Sequence, residues 1–337
     1  MQPLPNLHET TLSLLKRGKN LLAFSGGVDS SALFFILKDH NVPFDLAMVD
    51  YNKREQSKQE VAYAKALCLA YDKTLFLHTC HLEDANFEDH ARAERYGFFK
   101  KIIKANHYSN LITAHQLNDK LEWLLMQLGK GSGLVEMLGF DERQTRDAFQ
   151  IIRPLSHISK QTLLDFLHAN RIQYFQDESN QSDDYTRNRI RHNYATTFVE
   201  EFEKGLAKSF EYLKNDAHLL TPHHYQNIKD VYICKRDSED LKNIRQIDLI
   251  LKKLGILMSS AQRVEVIRTK ECVVSHKIAV VFDDALIYIA PFQTHTMPKD
   301  FKELCRIHKI PPKIRAYLYT QDIKVTSLVA LSYKLLS

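Results

Sequence analysis

Residues Leu21 to Leu37 read LLAFSGGVDSSALFFIL, and this stretch decides the fold. Leu21 to Phe24 form a short apolar run of the kind that makes a strand buried inside a parallel sheet. The chain turns through SGGVDSS and resumes as Ala32 to Leu37, apolar enough for a buried helix. A strand that feeds a helix through a glycine pair makes a concavity of backbone N–H groups at a positive helix terminus, which attracts anions. Gly26 and Gly27 permit positive φ and close backbone approach, and Ser25, Ser30 and Ser31 add hydroxyl donors. Asp29 is out of place beside a phosphate unless it contacts a metal ion or orients the loop. The string lacks the lysine of GxxxxGKS/T, so it is not a Walker A loop.

Working outward, strands and helices alternate. Leu7 to Lys16 reads as a leading helix, and Val42 to Asp50 as a second strand. That strand ends in Asp50, and ligands of open α/β sheets sit beyond strand carboxyl ends. A helical pattern over Ser57 to Tyr71 precedes a short strand, Thr74 to Thr79, and a long helix, Asn86 to Lys104. Arg92 and Arg95 lie three apart there, hence close on the helix surface. Leu111 to Ala114 is a further strand, leading into AHQLNDKLEW. Asp119 and Glu122 share one face at the start of the next helix, where two carboxylates suit Mg²⁺ or an ammonium group. An ordinary acidic first turn is the alternative. GKGSG follows as a basic loop, with Lys130 a candidate phosphate or RNA contact.

Asp141 to Asp147 reads as a polar connection, Arg153-Pro154-Leu155 closes a strand, and Ser159 starts a helix through Ile172. Asp177 to Asp184 is acidic and turn-forming, and Arg187, Arg189 and Arg191 follow. Those arginines either bind phosphate or pair with the acids before them. The pattern predicts an α/β fold: a doubly wound, mainly parallel sheet followed by smaller helical and α+β C-terminal domains. The expected boundaries are 1–200 for the catalytic domain, 201–270 for a helical connector and first C-terminal domain, and 271–337 for a small α+β domain.

The 337 residues suit two or three domains, and 44% hydrophobic with 26% charged residues is ordinary for a globular chain with a core. A net charge of +5 suits a polyanionic partner without establishing one. Five scattered cysteines without a CxxC pair argue for reduced thiols and against a zinc or iron–sulfur site. No signal peptide or membrane span is expected, and the expected location is cytoplasmic.

The glycine loop resembles the pyrophosphate loop of the N-type ATP pyrophosphatases. The full order resembles the tRNA(Ile)-lysidine synthase family over most of the chain: SGGVDSS, VDYNKR, NFEDHARAERY, AHQLNDKLEW, GKGSGL, RPL, then DESNQSDDYTRNRIRH. The last is the most discriminating. The resemblance implies that Ser25, Gly26, Gly27, Asp29, Ser30 and Ser31 cradle ATP, with Asp50 and Arg54 on the adenosine side. It implies that Arg92 neutralises charge during adenylyl transfer, and that Arg187, Asn188 and Arg189 face the reaction site or the RNA. His115, Asn118, Asp119 and Glu122 match a pattern written HxxDDxxET, with Asn118 in place of the first aspartate and Trp123 in place of the threonine. That departure puts more weight on Asp119 for Mg²⁺ or lysine, with Asp29 as the second metal carboxylate.

The implied reaction has two steps. The C2 oxygen of the wobble cytidine of a tRNA with a CAU anticodon attacks the α-phosphorus of ATP, releasing pyrophosphate. The ε-amino group of L-lysine then displaces AMP. Other readings are a thiolase of the same superfamily, a non-catalytic tRNA-binding relative, and a small-molecule synthetase of the NAD or GMP type. Monomer and homodimer are both open from the sequence.

Overall fold

The computed structural model describes residues 4–52, 55–81, 87–146, 149–176, 186–220 and 225–336. The chain divides into two compact units, Met1–Lys214 and Asn215–Ser337. In the first unit the strands are β1 (Asn20–Ala23), β2 (Phe44–Asp50), β3 (Leu75–Thr79), β4 (Asn110–Ile112), β5 (Arg143–Thr145) and β6 (Gln150–Ile152). Its helices are α1 (Glu9–Arg17), α2 (Val28–Asp39), α3 (Glu55–Ala70), α4 (Phe87–Asn106), α5 (Leu117–Gly129), α6 (Leu134–Met137), α7 (Lys160–Ala169) and α8 (Thr186–Ile190). A π-helical turn, Arg191–Ala195, joins α8 to the long helix α9 (Thr196–Leu220).

The six strands form one sheet in the order β3-β2-β1-β4-β6-β5, parallel except for β5, which runs antiparallel to β6. Central position explains the apolar run at β1. Leu21 stands opposite Asp45 of β2 and Leu111 of β4, and Leu22 opposite Leu46 and Ile112. Both leucines are fully buried, and the strand pleat sends them to opposite faces. Leu22 joins a core with Leu33, Phe34 and Leu37 of α2 and Leu163, Phe166 and Leu167 of α7. Leu21 joins a second core with Phe99 and Ile103 of α4. Helices therefore cover both faces, as a parallel sheet requires. The polar connection expected over 141–147 instead contains β5. It is an edge strand of three polar residues, Arg143, Gln144 and Thr145, paired on one side to β6, so no apolar run announces it.

The second unit has strands β7 (Tyr225–Ile228), β8 (Val231–Lys235), β9 (Glu271–Val274), β10 (Ile278–Phe282) and β11 (Leu286–Pro291) in the order β7-β8-β11-β10-β9, all antiparallel. A hairpin at Asp283-Asp284 joins β10 to β11. Strands of this sheet come from both sides of residue 270. Helices α10 (Asp240–Lys253) and α11 (Ser260–Thr269) pack Ile247, Leu251 and Val266 on one face. Helices α12 (Lys299–Ile307), α13 (Pro312–Thr320) and α14 (Val325–Leu336) pack Cys305, Ile314 and Leu328 on the other.

Candidate active site

The order of the first sheet reverses at β1: β2 and β3 lie on one side, while β4 and β6 lie on the other. Beyond the carboxyl ends of two such diverging strands the connecting loops part and leave a crevice. The loop after β1 is SGGVDSS, and the loop after β4 is Thr113 to Gln116, which leads into α5. The two motifs are 89 residues apart from Gly26 to His115 (115 − 26), yet topology makes them neighbours.

Gly26 has φ +78°, a conformation that L side chains adopt only under strain. Its carbonyl accepts hydrogen bonds from the Phe175 amide at 2.9 Å and the Ser31 hydroxyl at 3.1 Å. Gly27 is the N-cap of α2, with no side-chain cap over the helix's first amides. The hydroxyls of Ser25 and Ser30 are 3.1 Å apart, and Ser30 also donates to the Gly27 carbonyl at 3.2 Å. The loop is thus braced from behind by serines and by the segment around Phe175, leaving the α2 N-terminus for an anion.

Asp29, in the first turn of α2, has a solvent-inaccessible Oδ1 with no hydrogen-bond partner. Burial, with the charge of Asp119 behind it, pushes its carboxyl up to about 7, while Lys160 and Arg191 pull the other way. A buried carboxylate oxygen without a hydrogen-bond partner, which the charge of a second carboxylate reaches, fits a divalent cation that also has phosphate oxygens to bind, since no group of three or more His, Cys, Asp or Glu side chains gathers among the described residues. Asp119 itself accepts from the Gln116 amide at 3.0 Å, closing a capping box at the start of α5, and from Arg187 Nη2 at 2.7 Å.

Glu122 is fully buried. Its Oε2 accepts from Arg187 Nε at 2.7 Å and Arg191 Nη2 at 3.1 Å, and its Oε1 from Arg191 Nε at 2.6 Å. Asp119, Glu122, Arg187 and Arg191 therefore form one charged cluster. The sequence brings up Arg191 only as the third of three alternating arginines, and the structure makes it a member of the cluster. Helical periodicity was the signal available: residues 187 and 191 are i and i+4 and share a face, whereas 189 does not. Arg189 is exposed, with Nη2 3.4 Å from the Thr186 hydroxyl. Asn188 is buried on another side of α8.

His115 follows β4, with Nδ1 2.9 Å from the Thr113 hydroxyl and its ring against Phe140. Burial lowers its pKa to about 3, helped by the charges of Arg153, Arg92, Arg187 and Arg95. It is a neutral imidazole at physiological pH, able to hold a hydrogen bond but not to act as a resident cation. Asn118 is buried, and its Oδ1 accepts from the Lys160 amide at 3.0 Å, tying α5 to the N-terminus of α7. Only an acceptor is required there, which an amide supplies as well as a carboxylate does. Trp123 donates its indole N–H to the Glu136 carbonyl at 2.8 Å. A Cβ on Gly139 (φ +71°) would meet the Trp123 ring at 2.6 Å, so the indole lies flush against that glycine and locks α6 onto α5.

Asp50 stands at the carboxyl end of β2 with Oδ1 accepting from the Asn52 amide at 2.8 Å. Arg92 is on the exposed side of α4, its guanidinium 5.1 Å from the Tyr96 ring centre. Lys130 is the exposed C-cap of α5. Arg54 and the acidic stretch 177–184 lie outside the described residues. Arg153, at the end of β6, is a further site residue that the strand reading did not single out. It is buried, with Nη1 donating to the Asp141 carbonyl at 2.8 Å and Nη2 to Gln144 Oε1 at 3.0 Å.

The family profile described as the PP-loop domain matches residues 4–197. The chain is 43% identical over 311 residues to a tRNA(Ile)-lysidine synthase of Wolinella succinogenes, covering 92% of this chain and 95% of the relative. It is 44% identical over 326 residues to that of Campylobacter jejuni, covering 96% and 99%. With the enzyme of Helicobacter pylori it shares 38% over 319 residues, 94% of each chain. Likeness at this level over nearly the whole length, on a PP-loop domain with the glycine loop and carboxylate cluster at one sheet edge, means that the chain belongs to the tRNA(Ile)-lysidine synthase family.

Proposed function

We propose that this enzyme ligates L-lysine to carbon 2 of the wobble cytidine of tRNA(Ile) carrying a CAU anticodon, using ATP and releasing AMP and pyrophosphate. The observation that carries this reading is the meeting, at the switch point of one sheet, of an uncapped helix N-terminus after SGGVDSS with the half-buried Asp119 and the buried Glu122. The first holds polyphosphate on its loop amides, with Ser25, Ser30 and Ser31 bracing the loop that presents them. The second is a carboxylate cluster paired with Arg187 and Arg191, in which Asp119 is the member an amine nucleophile can reach. Asp50 lies toward the adenosine side.

Asp29 and Asp119 would hold Mg²⁺, which when bound neutralises charge on the phosphates. Arg92 stabilises the charge that builds on the α-phosphoryl group. The C2 oxygen of the cytidine forms its bond to the α-phosphorus as the bond to the pyrophosphate oxygen breaks. Lysine nitrogen then bonds to C2 as the bond from C2 to the AMP oxygen breaks. Asp119, the less buried of the two carboxylates, orients the lysine ammonium, and His115, held neutral, offers a hydrogen bond. For the cytidine to enter the crevice it must leave its stack. Lys130, Arg187 and Arg189 are assigned to RNA or substrate contacts, and the second unit to tRNA binding, whereas Asn188 is buried away from them.

A thiolase reading fares worse. Such chemistry needs a reactive thiolate or a cluster, whereas Cys68 is buried in α3 with its thiol pushed up to about 11. The test is one incubation with ATP, labelled lysine and tRNA bearing CAU. Label should enter the RNA with equimolar pyrophosphate; pyrophosphate release with no label in RNA rejects the proposal. No described helix is long and apolar enough to cross a membrane.

A further inference from the structure

We infer that a groove beside α4 seats the single-stranded RNA flanking the reacting cytidine; this rests on the function proposed above. The groove encloses about 490 Å³, within the ~300–1,000 Å³ range of ligand sites. Its wall is one face of α4, where Arg92, Tyr96 and Lys100 stand on successive turns. Its floor is Ile151 of β6 with Phe149 just before it, and Arg146 forms the opposite rim. The Arg146 amide donates to the Phe149 carbonyl at 2.8 Å, which ties rim to floor.

The course of the groove follows from topology. Helix α4 leaves the carboxyl end of β3 and returns to the amino end of β4, so it runs against the strands. Arg92 thus lies at the edge that carries the glycine loop and His115, and Lys100 lies toward the other edge. The Arg92 charge is among those that hold the His115 imidazole neutral, in keeping with that course.

The lining favours RNA over other occupants. Cations at Arg92, Lys100 and Arg146 alternate with the aromatic faces of Tyr96 and Phe149. Residues i, i+4 and i+8 rise about 6 Å per step, on the scale of one nucleotide of an unstacked strand. Cationic tracks interleaved with rings are how proteins hold single strands, phosphates on the charges and bases on the rings. Asp89, at the Arg92 end, is an acceptor suited to an exocyclic base amine. An acidic protein segment would use the cations alone, whereas Tyr96 and Phe149, only partly buried against the core, also leave ring surface for a base.

The experiment uses the full chain with the double substitution Lys100→Ala and Arg146→Ala, both exposed positions, and separately Tyr96→Leu. A stem-loop RNA with CAU in its loop is titrated across a salt series, and lysine transfer is followed in parallel. The double variant should bind roughly ten-fold more weakly at low salt, and its slope of log affinity against log salt should fall by about 1.4 (two contacts at ~0.7 each). Tyr96→Leu should weaken binding with little change in slope. KM for ATP and for lysine should stay at the parent values. Parent-like affinity and slope in the double variant overturns the groove even if the parent modifies RNA. Weakened binding in a chain whose parent transfers no lysine keeps the groove and removes the activity assignment instead.

Discussion

Glutamine in place of Glu122 preserves shape and removes charge at the most enclosed point of the site. Glu122 is fully buried and takes three arginine donors on its two oxygens. A glutamine keeps one acceptor and turns an NH₂ group toward a guanidinium, donor against donor. Removing one partner of a buried ion pair costs ~3–5 kcal/mol. Here the two arginines share the loss unequally. The Arg187 side chain is 46% exposed and already bonded to Asp119 at 2.7 Å, so its part shrinks toward the ~0–1 kcal/mol of a surface pair. The Arg191 side chain is only 20% exposed and keeps most of the penalty. The expected total is about 3 kcal/mol, which at ~2–4 °C per kcal/mol lowers the Tm of the first unit by roughly 6–12 °C. Calorimetry on the full chain measures this, and adding Arg191→Met to the glutamine variant should recover part of the loss. A shift below about 2 °C, or no recovery in the double variant, would refute the claim that the cluster is held by this buried charge.

Three further outcomes are expected. Asp29→Asn removes a buried charge without a partner, so it should raise the ligand-free Tm by roughly 2–4 °C while abolishing the stabilisation that magnesium and ATP give the parent; an unchanged response to the nucleotide would contradict the assignment. His115 titrates near 3 in the folded chain against 6.5 ordinarily, so its contribution is complete above pH 6.5 and is lost as pH falls from there toward 3, because unfolding then takes up a proton. His115→Gln should flatten the stability profile across that window, and an unaltered acid limb counts against it. Asn118→Ala leaves the Lys160 amide without its acceptor and should cost about 1–3 kcal/mol in chemical denaturation, whereas Asn118→Asp, which keeps an acceptor, should cost less; the reverse order would show that charge, not the hydrogen bond, decides this position.

Legibility differs between elements for physical reasons. β1, α2 and β2 are plain in the sequence because central burial demands uninterrupted apolar residues. α5 is plain too, since its capping box and its paired carboxylates are local features. β5 is not, being a polar edge strand. β7 and β8, read as no element from the sequence, pair side by side and are buried by α14 on one face, a long-range arrangement. Arg191 and Arg153 were hidden because their roles depend on what stands opposite. The arginine of RPL reads as a strand end until β6 is placed beside β4.

The amino-acid sequence by itself determined the chemistry available: a glycine turn for phosphate, carboxylates three apart on one helix face, and basic residues along α4 and α8. These are properties of neighbours in the chain, set by backbone geometry within a few residues. Tertiary structure alone decided which of them act together. The reversal of strand order at β1 opens a single crevice onto which the Gly26 and His115 loops both face. The folding of α8 against α5 puts Arg187 and Arg191, but not Arg189, onto Glu122. Asp29 keeps an unpartnered oxygen for the same reason, since desolvation and the charge of a second carboxylate reach it only once β1 and β4 stand side by side in the sheet.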